Sequence, residues 1–139
     1  MSGRVALAAV TDAVLDASTV EEAVLSDRDG ALVTFRGVIR DHDAGRDVTR
    51  LDYSAHPDAQ RFLAEVCARI AERTGLTVAA AHRIGGLTVG DVALVAAVAA
   101  PHRVEAFQAC GDLVDAIKAE VPIWKRQYFP RGSSEWVGL

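Results

Sequence analysis

The stretch VALVAAVAA, residues 92–100, decides how this chain is read. Nine consecutive residues without a polar side chain form a strand that is apolar on both faces. Working outward from it, LTVAAAHRI (76–84) is a second strand, and GGLTVGD (85–91), with three glycines, reads as the turn between them. On the other side a long helix runs from about His102 to Glu120, with Val104, Phe107, Val114, Ile117 and Val121 marking its buried side and Pro122 ending it.

Further out, RVALAAVTD (4–12) reads as a strand. In STVEEAVLS (18–26), Ser18 and Glu21 stand at capping-box spacing and start a short helix. ALVTFRGVIR (31–40) is a strand with Val33, Phe35, Gly37 and Ile39 on one face and Thr34, Arg36, Val38 and Arg40 on the other. DHDAGRD (41–47) is a polar loop, and VTRLDYSA (48–55) is the next strand. Pro57 suits a helix's first turn, Phe62, Val66 and Ile70 recur every four residues, and Gly75 supplies a stop. Strands and two long helices in this order predict a single domain over 1–139 of the α+β class, with a mostly antiparallel sheet.

The chain has 139 residues, half of them hydrophobic and a quarter charged, enough for one globular core. A net charge of −4 argues against a general nucleic-acid binder. Cys67 and Cys110 sit in apolar helical stretches and read as buried thiols, neither a disulfide framework nor a zinc site. The four histidines lack ligand spacing, so no metal is expected. No segment approaches a membrane span and MSGRVALAAV has no cleavage pattern, so a cytoplasmic enzyme or binding protein is expected.

Five basic residues are candidates for chemistry. Arg40 closes a strand before a polar loop. His102 and Arg103 stand where a buried strand feeds a helix N-terminus, a place suited to an anion, although a capping histidine and a solvated arginine would look the same. Lys118 lies near the end of that helix, on the stripe of Val114 and Gly111, where a lysine is also simply favourable to the helix dipole. Gly111 is unusual in mid-helix and is read as a point of close approach by another chain or a ligand. Lys125, seven residues after Lys118, follows Trp124, which is read as the anchor of a loop behind Pro122; a lysine snorkelling over an indole is the plainer alternative.

Four segments together resemble one family, the large, catalytic subunit of molybdopterin synthase: VTFRGVIRDHD (33–43), HRIGGLTVGD (82–91), APHRVEAF (100–107) and IKAEVPIWKRQ (117–127). The resemblance runs from about Ala31 to Val137 and implies an α/β hammerhead with additional strands. It implies a sulfurtransferase that converts cyclic pyranopterin monophosphate to molybdopterin by inserting two dithiolene sulfurs. The donor is the thiocarboxylated C-terminal Gly-Gly of a small ubiquitin-like subunit, and two large subunits form a central homodimer. By the same resemblance Lys118 and Lys125 are the catalytic lysines, and Arg40, His102 and Arg103 bind the substrate phosphate. No cofactor is implied. Gln127 stands where the family commonly has Glu. A non-catalytic module that binds a ubiquitin-like tail or an anionic ligand is the alternative.

Overall fold

The computed structural model describes residues 3–43, 45–130 and 134–138. Strand β8 (Val92–Ala100) is buried at every position but its first. It lies between β6 (Thr77–Arg83) and β2 (Ala31–Val38), antiparallel to both, and β1 (Arg4–Thr11) pairs parallel to β6 at the outer edge. Strand alternation then divides the apolar residues between two faces. Val78, Ala80, Leu94, Ala96, Val98 and Ala100 face α2 (Ala59–Thr74) and α3 (Arg103–Glu120) in the main core. Ala79, Ala81, Val95, Ala97 and Ala99 face α1 (Ala17–Val24) on the other side, against Val20 and Val24.

A second antiparallel sheet has the order β10 (Ser134–Gly138), β9 (Ile123–Tyr128), β5 (Arg50–Ala55), β7 (Gly85–Thr88). A short hairpin of β3 (His42–Asp43) and β4 (Arg46–Asp47) follows β2. The α+β architecture with a mostly antiparallel arrangement and two long helices is the one expected. Ile39, Val48, Leu51, Leu87, Ala93 and Phe129 form a small core where the second sheet and the hairpin region meet the end of the first sheet.

Four local expectations are corrected. The segment 85–91 is mostly strand: Gly85–Thr88 pairs with β5, and only the tip turns, at Gly90 with φ 92°. The Asp91 carboxylate closes that turn by accepting from the Thr88 N–H at 2.9 Å. The polar loop 41–47 contains the β3–β4 hairpin, because short strands with polar side chains carry no apolar alternation to reveal them. Helix α1 is capped by Asp16, whose side chain accepts from the Ser18 N–H at 3.0 Å, in place of a Ser18–Glu21 box. Finally, α3 buries Ala106, Ala109, Cys110, Leu113, Val114 and Ile117, whereas Val104 and Phe107 are 73% and 65% exposed. Small residues, not the largest ones, face the sheet in the first half of α3. That pattern masks the 3.6-residue period.

Helix α2 stops where expected, at Gly75 with φ 73°, its N–H on the Ala71 carbonyl. Ile117 is fully buried in the main core. Ile117→Ala should therefore lower stability by about 2–5 kcal/mol, read as a shift in the urea midpoint.

Candidate functional site

The joint between α3 and β9 is two residues long. Val121 caps the helix, with its N–H on the Ile117 carbonyl, and the Pro122 carbonyl accepts from the His56 N–H at 3.0 Å. The chain enters β9 at once, so what the sequence suggests as a loop is a strand. Its pleat decides which side chains point inward. Ile123, Lys125 and Gln127 share the inner face, and Trp124, Arg126 and Tyr128 share the outer one.

Trp124 is accordingly no loop anchor. It is 44% exposed and paired in the sheet, opposite Ser54 on β5 and Gly138 on β10. Burial of Ile123 and Gln127, each 2% exposed, holds the segment down. On the outer face the Arg126 guanidinium lies 5.4 Å from the Tyr128 ring and 5.5 Å from that of Trp136, and Arg50 lies 4.1 Å over Tyr128.

The inner face of β9 borders a cleft of about 300 Å³. Lys118 reaches it from the last turn of α3, Lys125 from β9, and Arg40 from the end of β2. Phe35, His42, Tyr53, His82 and Gln127 also line it. Three of the five sequence candidates therefore converge. His102 and Arg103 do not. They are exposed at the N-terminus of α3, about 22–24 Å from Lys118 at the helical rise. His102 is the N-cap residue but makes no side-chain cap hydrogen bond.

Charge in the cleft is partly compensated. Arg40 donates to Asp43 at 3.0 Å, and the other Asp43 oxygen accepts from the Gln127 amide at 2.9 Å. Those bonds, the Gln127 one first, hold the Asp43 carboxyl below its ordinary range, with help from the Lys125 charge. The same amide donates to Glu135 at 3.0 Å. Gln127 thus supplies two N–H bonds to two carboxylates from a buried position. A carboxylate at 127 would meet both without a proton to share. Lys125 is half-buried, and its amine is held below the ordinary lysine value, chiefly by loss of water. Arg40 and Lys118 lower it further, while Asp43 opposes them.

Sequence reading passed over Tyr53, His82, Asp43 and Gln127 as contributors. For His82 a signal was present: a single imidazole ends a run of small apolar residues, VAAAH (78–82), so it had to be buried. Both cysteines are buried away from the cleft. Burial pushes the Cys67 thiol up to about 12 and raises that of Cys110. Among the described residues no cluster of His, Cys, Asp or Glu could hold a metal ion, and no helix is long and apolar enough to cross a membrane.

Residues 10–120 match the family model described as MoaE protein. This chain belongs to the MoaE family. Molybdopterin synthase catalytic subunit 1 of Mycobacterium tuberculosis (strain ATCC 25618 / H37Rv) is 44% identical over 131 residues, 93% of this chain and 88% of the relative. The crystal structure of molybdopterin synthase from Staphylococcus aureus superposes with a TM-score of 0.87 at 32% identity, covering 94% of this chain and 96% of that one. A protein–protein complex of subunits 1 and 2 of the molybdopterin-converting factor from Helicobacter pylori 26695 contains a chain of the same fold. Its TM-score is 0.72 at 16% identity, over 93% of this chain and 87% of that one. All four MoaE-like segments of the sequence border the cleft or frame α3. VTFRGVIRDHD supplies Arg40 and Asp43, HRIGGLTVGD supplies His82 and the Asp91-closed turn, and IKAEVPIWKRQ supplies both lysines. APHRVEAF forms the distant end of α3.

Asp43 is the anion that supports the Lys125 ammonium. Asp43→Asn should therefore lower the Lys125 titration midpoint further, measured from the pH dependence of its ¹³Cε resonance. An unchanged midpoint would show that the carboxylate does not act on Lys125.

Proposed function

We propose that this chain is the catalytic subunit of a molybdopterin synthase acting in the cytoplasm. It converts cyclic pyranopterin monophosphate to molybdopterin with sulfur delivered as the thiocarboxylate of a small ubiquitin-like partner's C-terminal Gly-Gly. The observation that carries this reading is the convergence of Lys118, Lys125 and Arg40 on one cleft, in a chain 44% identical to a catalytic subunit. Both reactants are anions, and a cleft of about 300 Å³ lined by three cations draws them together. Arg40 takes the phosphate once Asp43 yields it. Lys118 faces the oxyanion that forms at the tail's carbonyl, and Lys125, with its depressed amine, serves the pterin. Sulfur comes from outside, which fits two buried thiols that do not line the cleft.

His102 and Arg103 then act on the phosphate from a second copy. Within one chain they stand a helix length from the lysines. The exposed stripe of Val104, Phe107 and Gly111 runs beside them, and nothing lies within 4 Å of a Cβ placed on Gly111. Phe35 lines both the shallow groove along this stripe and the lysine cleft. Two copies packed through the stripe form the homodimer and complete each other's sites.

The direct test is turnover with a thiocarboxylated small subunit and the cyclic pterin. Lys118→Ala and Lys125→Ala should stay folded, bind the small subunit, and lose about 100- to 1000-fold in rate. Near wild-type turnover by either variant would return that lysine to the solvated charges. Binding of the tail without any turnover by the unmodified chain would favour a non-catalytic module.

A mixing experiment tests the shared site. Arg103→Ala and Lys118→Ala proteins, each nearly inactive alone, should regain activity when exchanged into mixed dimers, because one site per dimer is then whole. No recovery after verified exchange would place Arg103 and Lys118 in the same chain's site or outside any site.

A further inference from the structure

Among the residues that line the cleft, His82 is the only titratable one that is fully buried, at 2% exposed. It ends the buried part of β6, with Val10 of β1 and Leu94 of β8 as its neighbours in register. Its Nδ1 lies 2.8 Å from the Arg83 carbonyl oxygen. A carbonyl only accepts, so Nδ1 carries the hydrogen, and the neutral ring's lone pair is at Nε2. Among the described residues Nε2 has no hydrogen-bond partner. The Tyr53 ring packs edge-on at 5.1 Å between centroids and 76°, which fixes the plane of the imidazole. Burial, and after it the Lys118 charge, hold the ring below the ordinary histidine value against the opposing effect of the Arg83 bond, so it stays neutral near pH 7. A buried, neutral, oriented imidazole with a free acceptor beside a lysine is more than a core histidine requires.

We infer that His82 is the proton acceptor for the water that frees the sulfur carrier from the substrate. The inference rests on the proposed function. When the thiocarboxylate sulfur has bonded to the pterin carbon, a thioester joins carrier and substrate. A water oxygen adds to the acyl carbon, and its proton passes to His82 Nε2. The resulting oxyanion faces the Lys118 ammonium. The carbon–sulfur bond of the acyl group then breaks, and the electron pair leaves with sulfur, which stays on the substrate as a thiolate. The carrier leaves as a carboxylic acid that gives up its remaining proton to solvent, and the imidazolium returns the first proton to solvent as well, assisted by repulsion from Lys118. No electron donor or acceptor is needed.

The test is single turnover with the thiocarboxylated small subunit, following both sulfur addition and carrier release by mass spectrometry. His82→Asn retains a donor toward the Arg83 carbonyl and removes Nε2. The covalent carrier–substrate adduct should form at the wild-type rate and accumulate, with release slowed about 100-fold or more. Added imidazole should restore release. The release rate of the wild-type protein should fall at acid pH, below the ordinary histidine value of about 6.5, and the variant should lack that limb. Tyr53 on β5, Lys118 on α3, Lys125 on β9, and Arg36 and Arg40 from the β2 segment line the same cleft and are unchanged by the substitution. His42, and His102 from a second copy, are present in both proteins, so the difference between the profiles isolates His82. Release at the wild-type rate in a folded H82N protein overturns the inference, and so does a wild-type release rate that does not fall at acid pH, which needs no variant. If the wild-type protein forms no adduct at all, the proposed function itself fails. A defect in this inference alone leaves adduct formation intact.

Discussion

Everything in this fold is arranged around a strand that cannot face water on either side. Each residue of β8 after the first is buried, so the sheet must be covered twice. Helices α2 and α3 cover one face and α1 the other. Five alanines along the strand keep both surfaces shallow, which lets the helices lie close and places small residues at their contacts as well. That is the reason α3 turns Ala106, Ala109 and Cys110 inward. The larger Val104 and Phe107 are left outside, where they become available to another molecule. Burial of an apolar strand thus fixes the direction of α3, and with it the position from which Lys118 enters the cleft.

Much of this was legible in the sequence because it rests on runs and periods. The strands β1, β2, β5, β6 and β8, the span of α3 and the stop at Gly75 all follow from apolar patterning and one left-handed glycine. What was hidden had a physical reason in each case. Strand β9 alternates Ile123, Lys125 and Gln127 inward, and two of those three are polar because they border a site. Its alternation therefore looks like a loop with charges. Strand β7 begins with two glycines, which read as a turn although both are paired with β5. Phe107 reads as core because hydrophobicity in a sequence does not by itself show which apolar residues end up exposed.

The candidate site divides the same way. Spacing and resemblance singled out Arg40, Lys118 and Lys125, and the fold gathers them. No spacing could reveal that His102 and Arg103 stand at the far end of the helix that carries Lys118, since helix length becomes distance only in three dimensions. Nor could it reveal that Gln127 joins the Asp43 carboxylate that holds Arg40, because the Gln127–Asp43 contact spans 84 positions.

The short joint at Val121 and Pro122 has a mechanical consequence. It ties a helix of the first layer to a strand of the second with only two residues between them. Lys118 stands three residues before the joint and Lys125 three residues after it. The span between the two amines is therefore set by one short piece of backbone. Arg40 reaches the same cleft from just beyond β2, so its distance from them is set instead by how the two sheets pack. Lengthening the joint would loosen the lysines from each other without altering either side chain.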